Sequence, residues 1–104
     1  MQELIDGKLY DTEQAEKIAG YSTGGSPSDF SYFRESLYLT ENGRWFLAGE
    51  GHAKTPYGST TADGMRGWGS EIHALSEEDA FRWCQRKNKV EAAREHFADR
   101  IEPA

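Results

Sequence analysis

The richest pattern of apolar residues lies in the middle of the chain. Residues 30–40 and residues 44–50 are both dominated by Tyr, Phe, Trp and Leu, which are residue types that favour strands. Between them lies Asn42-Gly43, the dipeptide that is preferred in two-residue type I′ turns. We therefore predict a β-hairpin whose register is set by this turn and in which Glu35 lies opposite Glu50.

The predicted register assigns the side chains of this hairpin to two faces, because successive side chains of a strand alternate. One face is predicted to pack against helices and carries Phe33, Leu37, Leu39, Phe46 and Ala48. The other face is aromatic, is predicted to be half exposed, and carries Tyr32, Tyr38, Trp45 and Leu47.

Two elements are predicted before the hairpin. Residues 4–10 are predicted to form a single short strand. Asp11 as N-cap with Gln14 three residues later matches a capping box, and an apolar stripe follows it. A short helix is therefore predicted, with Ala15, Ile18 and Ala19 on its buried side. Residues 22–28 are predicted to form a flexible connection.

Three elements are predicted after the hairpin. Residues 53–70 are rich in Gly and lack periodicity, which predicts a long flexible loop that is either functional or disordered. A closing strand is predicted over residues 71–75, and Ser76 is predicted to open a second helix. Helical spacing of apolar residues then predicts a third helix, with Val90, Ala93, Phe97 and Ile101 on one side.

The predicted order of elements is β-α-β-β-β-α-α, which is typical of an α+β fold. We expect a mainly antiparallel sheet with the helices packed on one face. A chain of 104 residues has room for one core, so residues 1–104 are predicted to form a single domain. The aromatic content of 12% can supply that core with few, large side chains.

The net charge of −6 is unevenly distributed along the chain. Residues 1–51 hold nine acidic and four basic residues, a net charge of −5, whereas the remainder is nearly neutral. A nucleic-acid-binding protein needs a basic surface to neutralise phosphates, so no direct binding to nucleic acid is expected. An acidic surface suits a basic partner protein, or solubility alone.

The sequence also indicates a compartment. Cys84 is the one cysteine and cannot form an internal disulfide. No apolar run approaches the length of about 18 residues that a membrane span needs. The first residues lack the basic and apolar regions of a secretory signal. We therefore expect a cytoplasmic protein that does not bind a membrane.

One predicted cluster has the residue types of a catalytic or metal site. Glu35 and Glu50 would face each other across the hairpin, with His52 near them. Two facing carboxylates raise the pKa of one of the pair, as acid–base sites require. Carboxylates at strand ends are more often solvated or paired with an arginine, for example Arg34. We therefore expect no enzyme, no cofactor and no metal, and keep a small enzyme or metal protein as an alternative.

Two sets of residues are candidates for binding a partner. The first lies in the long loop, where Tyr57, Met65 and Trp68 are of types enriched at binding hot spots. Trp68 is predicted with equal weight to contact a partner or to fold back into the core. The second set crowds the first strand and the predicted helix, where acidic side chains could imitate the phosphates of DNA. It comprises Glu3, Asp6, Asp11, Glu13 and Glu16.

The chain resembles a family of small acidic proteins encoded by phages and integrative mobile elements. The resemblance covers nearly all of the chain. The matching segments are residues 8–12 with Ala15, 29–32, 35–38, 43–51, 75–80 with Trp83, and 97–102. Most of these positions have structural residue types, so they indicate a family more than an activity.

The resemblance implies a function as well. Some small acidic proteins of such elements are anti-CRISPR proteins, and this chain looks like a candidate inhibitor of a type I effector complex (Cascade). The resemblance implies a non-enzymatic protein in the host bacterial cytoplasm that blocks DNA recognition through its acidic surface. Its partner would be a host protein with a basic nucleic-acid-binding surface, such as a Cas subunit. The alternative is a general protein-interaction or regulatory module of a mobile element.

Overall fold

A central four-stranded sheet organises the chain, and a computed structural model describes it over residues 1–104. The strands are β1 (Gln2–Ile5), β2 (Lys8–Asp11), β3 (Glu16–Ser22), β4 (Phe33–Leu39), β5 (Trp45–Gly51), β6 (Ser59–Thr60), β7 (Arg66–Gly67) and β8 (Gly69–Leu75). The helices are α1 (Glu77–Arg86), α2 (Val90–His96) and a 3₁₀ turn over Ala98–Arg100. The α+β fold class is confirmed.

All strand pairs in the molecule are antiparallel. The central sheet has the strand order β3-β4-β5-β8, while β1 pairs with β2 and β6 pairs with β7 in two separate hairpins. Neighbours in the central sheet therefore follow one another along the chain, apart from the β6–β7 hairpin inserted before β8. No helix of the chain is long and apolar enough to cross a membrane.

Apolar side chains cover both faces of the central sheet. On the helix face, Leu37 and Trp45 pack with Trp83 of α1 and with Phe97, and each of these is at most 6% exposed. On the opposite face, which we call the hairpin face, Phe46 and Ile72 pack with Tyr10 of β2. The prediction that the helices lie on one face is thus confirmed, and the β1–β2 hairpin covers part of the other.

The predicted register of the β4–β5 hairpin is wrong by one residue. Leu39 faces Trp45 and Glu35 faces Gly49, so the two glutamates are not opposite each other. Gly43 has a positive φ of 81°, but Asn42 does not, and a type I′ turn would need both. The amide of Gly43 donates to the carbonyl of Thr40 (3.0 Å), which is the pattern of a type I turn followed by a left-handed glycine.

The shift in register reverses the predicted faces of β5 relative to β4. Trp45 and Leu47 join Leu37 on the helix face, whereas Phe46 lies with Tyr38 on the hairpin face. The rings of Tyr38 and Phe46 stack with their centroids 5.1 Å apart. The predicted half-exposed aromatic face is therefore divided between two buried cores.

The predicted first strand and first helix are also wrong. Asp6 (φ 51°) and Gly7 (φ 74°) form a tight turn that splits the predicted strand into β1 and β2. The carboxylate of Asp11 does accept from a nearby amide, that of Glu13 (2.9 Å), but a strand follows and not a helix. Pairing of β3 with β4 outweighs the capping pattern, because so short a helix is marginal in water.

The predictions for the C-terminal half agree better with the structure. The hydroxyl of Ser76 accepts from the amide of Asp79 (3.0 Å), so the predicted N-cap of α1 is confirmed. The predicted third helix is shorter than expected, since α2 ends at His96. Val90 is 46% exposed and Ile101 is 41% exposed, and neither belongs to a buried stripe.

The segment predicted as a long loop has structure of its own. It contains β6 and β7, and its residues Thr55 and Tyr57 are buried. The Tyr57 ring covers the backbone of Gly49, where any Cβ would overlap that ring. The start of the segment thus packs onto β5, while Met65 near the tip of the β6–β7 hairpin is 66% exposed.

Candidate partner-binding site

The predicted cluster of Glu35, Glu50 and His52 does not form. Glu35 lies on the helix face and Glu50 on the hairpin face, so their carboxylates point to opposite sides of the sheet. Glu50 is ion-paired with Arg34 on the neighbouring strand, and this pairing raises the pKa of the guanidinium. No group of three His, Cys, Asp or Glu side chains could hold a metal ion. The side chains on which the alternative of a small enzyme or metal protein depends are therefore not brought together.

Glu35 belongs to a partly buried hydrogen-bond network instead. Its carboxylate accepts one hydrogen bond from the Tyr57 hydroxyl and another from Trp83 Nε1 (3.0 Å). Burial and the bond to Glu35 raise the pKa of the Tyr57 hydroxyl, which is therefore neutral at ordinary pH. Tyr57 is only 4% exposed, so little of its surface is available to a partner. The network joins the loop, β4 and α1.

A cluster of rings lies at the end of the hairpin face, beyond β4 and β5. It consists of Phe30, Tyr32, His52 and Trp68, and we call it the aromatic patch. Trp68 stacks on Tyr32 with 6.1 Å between ring centroids, and its edge contacts His52 at 6.1 Å. Phe30 meets the His52 ring edge to face, with 5.0 Å between the ring centroids. Residues from three separate segments thus form one continuous ring surface.

Backbone and side-chain hydrogen bonds hold the aromatic patch in place. The amide of His52 donates to the carbonyl of Tyr32 (2.9 Å), which extends the β4–β5 ladder into the patch. The indole Nε1 of Trp68 donates to Glu50 Oε2 (3.3 Å), and Glu50 is itself held by Arg34. Both the ring face and the ring edge of Trp68 are therefore fixed before any partner binds.

The aromatic patch is built on a buried base and has an exposed rim. Tyr32 at its base is 8% exposed, whereas Trp68 is 39% exposed and Phe30 is 58% exposed. The sequence predicts that Trp68 either contacts a partner or folds back into the core. Its ring folds onto the domain but keeps an exposed surface, so it combines features of both. Phe30 and His52 are not predicted as partner-binding residues, because only folding brings residues 30–32, 52 and 68 together.

The predicted acidic residues do not form one free surface. Asp11 is 7% exposed, and its carboxylate accepts from the Glu13 amide and from Gln2 Nε2 (2.9 Å each). These two bonds lower the pKa of Asp11, the Glu13 amide contributing most. Glu3 Oε2 accepts from the amide of Ile72 on the edge strand β8 (3.1 Å). Asp11 is thus held by hydrogen bonds within the chain, and little of its surface is available to a partner.

Three of the predicted acidic residues have exposed side chains that make neither an ion pair nor a side-chain hydrogen bond. Asp6 lies in the β1–β2 turn, Glu13 follows β2, and Glu16 begins β3. Met65 is the other exposed candidate and lies near the tip of the β6–β7 hairpin. These four residues remain available to a partner, in addition to the aromatic patch.

Comparison with known proteins adds no relative. The chain matches no protein-family model, no curated protein and no solved structure. The resemblance to small acidic proteins of phages and mobile elements therefore stays an expectation from the sequence. A proposal for the function therefore has to be based on the geometry of the chain.

Proposed function

We propose that this chain is a non-enzymatic binding protein that contacts a partner protein through the aromatic patch. The observation that carries this proposal is the state of Trp68. Its ring is stacked on Tyr32 and tied to Glu50, yet 39% of the residue is exposed. Tryptophan is among the residues that dominate binding energy at protein interfaces.

The fixed position of Trp68 favours binding. A flexible side chain loses rotamer freedom when a partner immobilises it, at a cost of about 0.5–1.5 kcal/mol per side chain. The contacts with Tyr32, His52 and Glu50 restrict the indole in the free protein already. A partner that covers the exposed side of Trp68 and Phe30 would therefore gain apolar contact area with little loss of entropy.

The polar groups near the aromatic patch support binding more than catalysis. Glu50 is engaged by Arg34 and by Trp68, and His52 Nδ1 accepts from the amide of Ala53 (2.8 Å). A general acid or base needs a free position for the proton that it transfers. Both carboxylate oxygens of Glu50 are engaged, and the exposed surface above these groups is aromatic.

The experiment compares Trp68→Ala with a matched exposed residue. Tagged protein is first used to capture the partner from host lysate, and the dissociation constant is then measured for purified variants. We expect Trp68→Ala to weaken binding about 30-fold, which corresponds to a hot-spot loss of about 2 kcal/mol. Leu4→Ala removes an equally apolar side chain that is 73% exposed on β1, and should change affinity less than twofold. Wild-type affinity in a folded Trp68→Ala variant would exclude the patch as the binding surface.

A second candidate function rests on the acidic residues. Residues 1–51 carry a net charge of −5, and Asp6, Glu13 and Glu16 are exposed. Such a surface suits a basic groove that reads DNA, as the resemblance to anti-CRISPR inhibitors of Cascade implies. Because two of the five predicted acidic residues hold the fold together, the geometry supports this function less directly than the aromatic patch. The two functions are compatible if the partner covers both surfaces.

A further inference from the structure

A groove lies on the side of the molecule opposite to the aromatic patch. It runs between α1, α2 and the C-terminal segment, and encloses about 370 Å³. Among the side chains that line it are Phe81, Lys89, Val90, Ala93, Arg94 and Ile101. Ligand pockets in proteins have volumes of about 300–1,000 Å³, so the groove has room for a small molecule.

The floor and rim of the groove are apolar. Cys84 (1% exposed) and Ala93 (8% exposed) form the floor. At the rim, Val90 and Ile101 are 46% and 41% exposed, although both are large apolar residues. Val90 follows the turn at Asn88 (φ 53°), and Ile101 lies in extended backbone after the 3₁₀ turn (φ −100°, ψ 130°). A large part of both side chains is therefore open to solvent. A ligand with an apolar body would remove this surface from water.

The groove carries positive charge in a protein of net charge −6. Lys89 and Arg94 line it and have no carboxylate within 4.0 Å, and Arg100 reaches Glu77 only at 3.5 Å. Glu102 is the one acidic residue of the lining. By contrast, Arg82 on α1 is paired with both Glu78 and Asp79, outside the groove. Two cations without an ion pair, Lys89 and Arg94, thus lie beside the exposed apolar residues of the groove.

We propose that this groove binds a small amphipathic anion, with one carboxylate on an apolar body. The body would lie on Phe81, Ala93 and the rim residues, and the carboxylate would pair with Lys89 and Arg94. Binding sites of this class combine an apolar lining with a few placed polar groups that fix the ligand's orientation.

Octanoate tests the proposal, with octanol as the neutral probe of the same chain length. Amide chemical shifts of the ¹⁵N-labelled protein are followed during titration. We expect octanoate to cause saturable shifts at Phe81, Ala93 and Ile101, and octanol to bind at least fivefold more weakly. Lys89→Ala combined with Arg94→Ala should weaken octanoate binding at least fivefold. Arg82→Ala, which removes a paired cation outside the groove, should leave it unchanged.

Three results would overturn the proposal. The first is the absence of saturable shifts in this region at millimolar octanoate. The second is equal affinity for octanoate and octanol, which would leave the cations without a role. The third is an equal loss in Arg82→Ala, which would reflect net charge alone. If the double variant does not fold, the comparison of the two probes on the wild-type protein decides.

Discussion

A single hydroxyl group is expected to contribute measurably to stability. Tyr57→Phe removes the hydroxyl that donates to the carboxylate of Glu35. This carboxylate lies in a partly buried site and would keep Trp83 Nε1 as its donor. Leaving a buried polar group with fewer hydrogen bonds costs about 1–3 kcal/mol. We therefore expect the free energy of unfolding, measured by urea denaturation, to fall by about 1–3 kcal/mol.

Tyr38→Phe is the matched control for this substitution. Tyr38 stacks on Phe46 but its hydroxyl has no hydrogen-bond partner within the chain, so the loss there should stay below about 0.5 kcal/mol. Equal effects of the two substitutions would contradict a structural role for the Glu35 network. Trp83 is 1% exposed. The sequence does not predict the network, whose members Tyr57 and Trp83 are 22 and 48 residues from Glu35.

The turn between β4 and β5 provides a test of the register. Gly43 has a positive φ of 81°, so a side chain at this position would be strained. Asn42 does not have a positive φ, so a side chain is tolerated there. Left-handed backbone costs about 1–2 kcal/mol for a residue with a Cβ. We expect Gly43→Ala to lower the free energy of unfolding by about 1 kcal/mol. Asn42→Ala should change it by less than about 0.5 kcal/mol.

The pair of alanine substitutions separates the observed turn from the predicted one. A type I′ turn needs positive φ at both central residues, and Asn tolerates that conformation better than Ala. Similar losses in Asn42→Ala and Gly43→Ala, measured in the same urea titration, would therefore support the predicted register. In the predicted register, Glu35 and Glu50 would lie on one face of the sheet.

Elements with strong local signals were predictable, and those that depend on distant pairing were not. The cap at Ser76 and the helix after it follow from neighbouring residues, and both are confirmed. Residues 16–22 form a strand because β4 offers them a partner, and their own sequence lacks a strand pattern. The dipeptides Asp6-Gly7 and Asn42-Gly43 look alike, yet the left-handed conformation extends over both residues in the first pair alone.

The whole molecule is flat, with principal extents of 49 × 35 × 19 Å. The aromatic patch lies at the end of the hairpin face, and the groove lies among the helices that pack on the other face. The aromatic patch combines residues 30–32, 52 and 68, and the sequence identified only Trp68 among them as a partner-binding residue. The groove depends on where α2 ends, and the predicted longer helix would have buried Ile101. Both sites thus follow from the assembly of elements more than from any single motif.

The distribution of charge over the molecule gives the last prediction. If the exposed carboxylates of Glu13 and Glu16 attract a basic partner, they act over about a Debye length, roughly 8–10 Å at physiological salt. Reversing both charges to Lys should then slow association severalfold, and raising the salt concentration should reduce the difference, because steering acts mainly on the on-rate. The measurement is the association rate of the captured partner at two salt concentrations.

The matched control reverses Glu95 and Glu102, which are exposed near the C-terminus, so that the net charge changes equally at another place. If the acidic surface has a role, reversing Glu13 and Glu16 should slow association much more than reversing Glu95 and Glu102. The reversal of Glu13 and Glu16 should also restore the partner's affinity for DNA. Equal effects of the two pairs would mean that net charge alone matters. If neither pair of charge reversals changes association while Trp68→Ala greatly weakens binding, the binding surface is the aromatic patch. An apolar anchor of this kind depends little on salt.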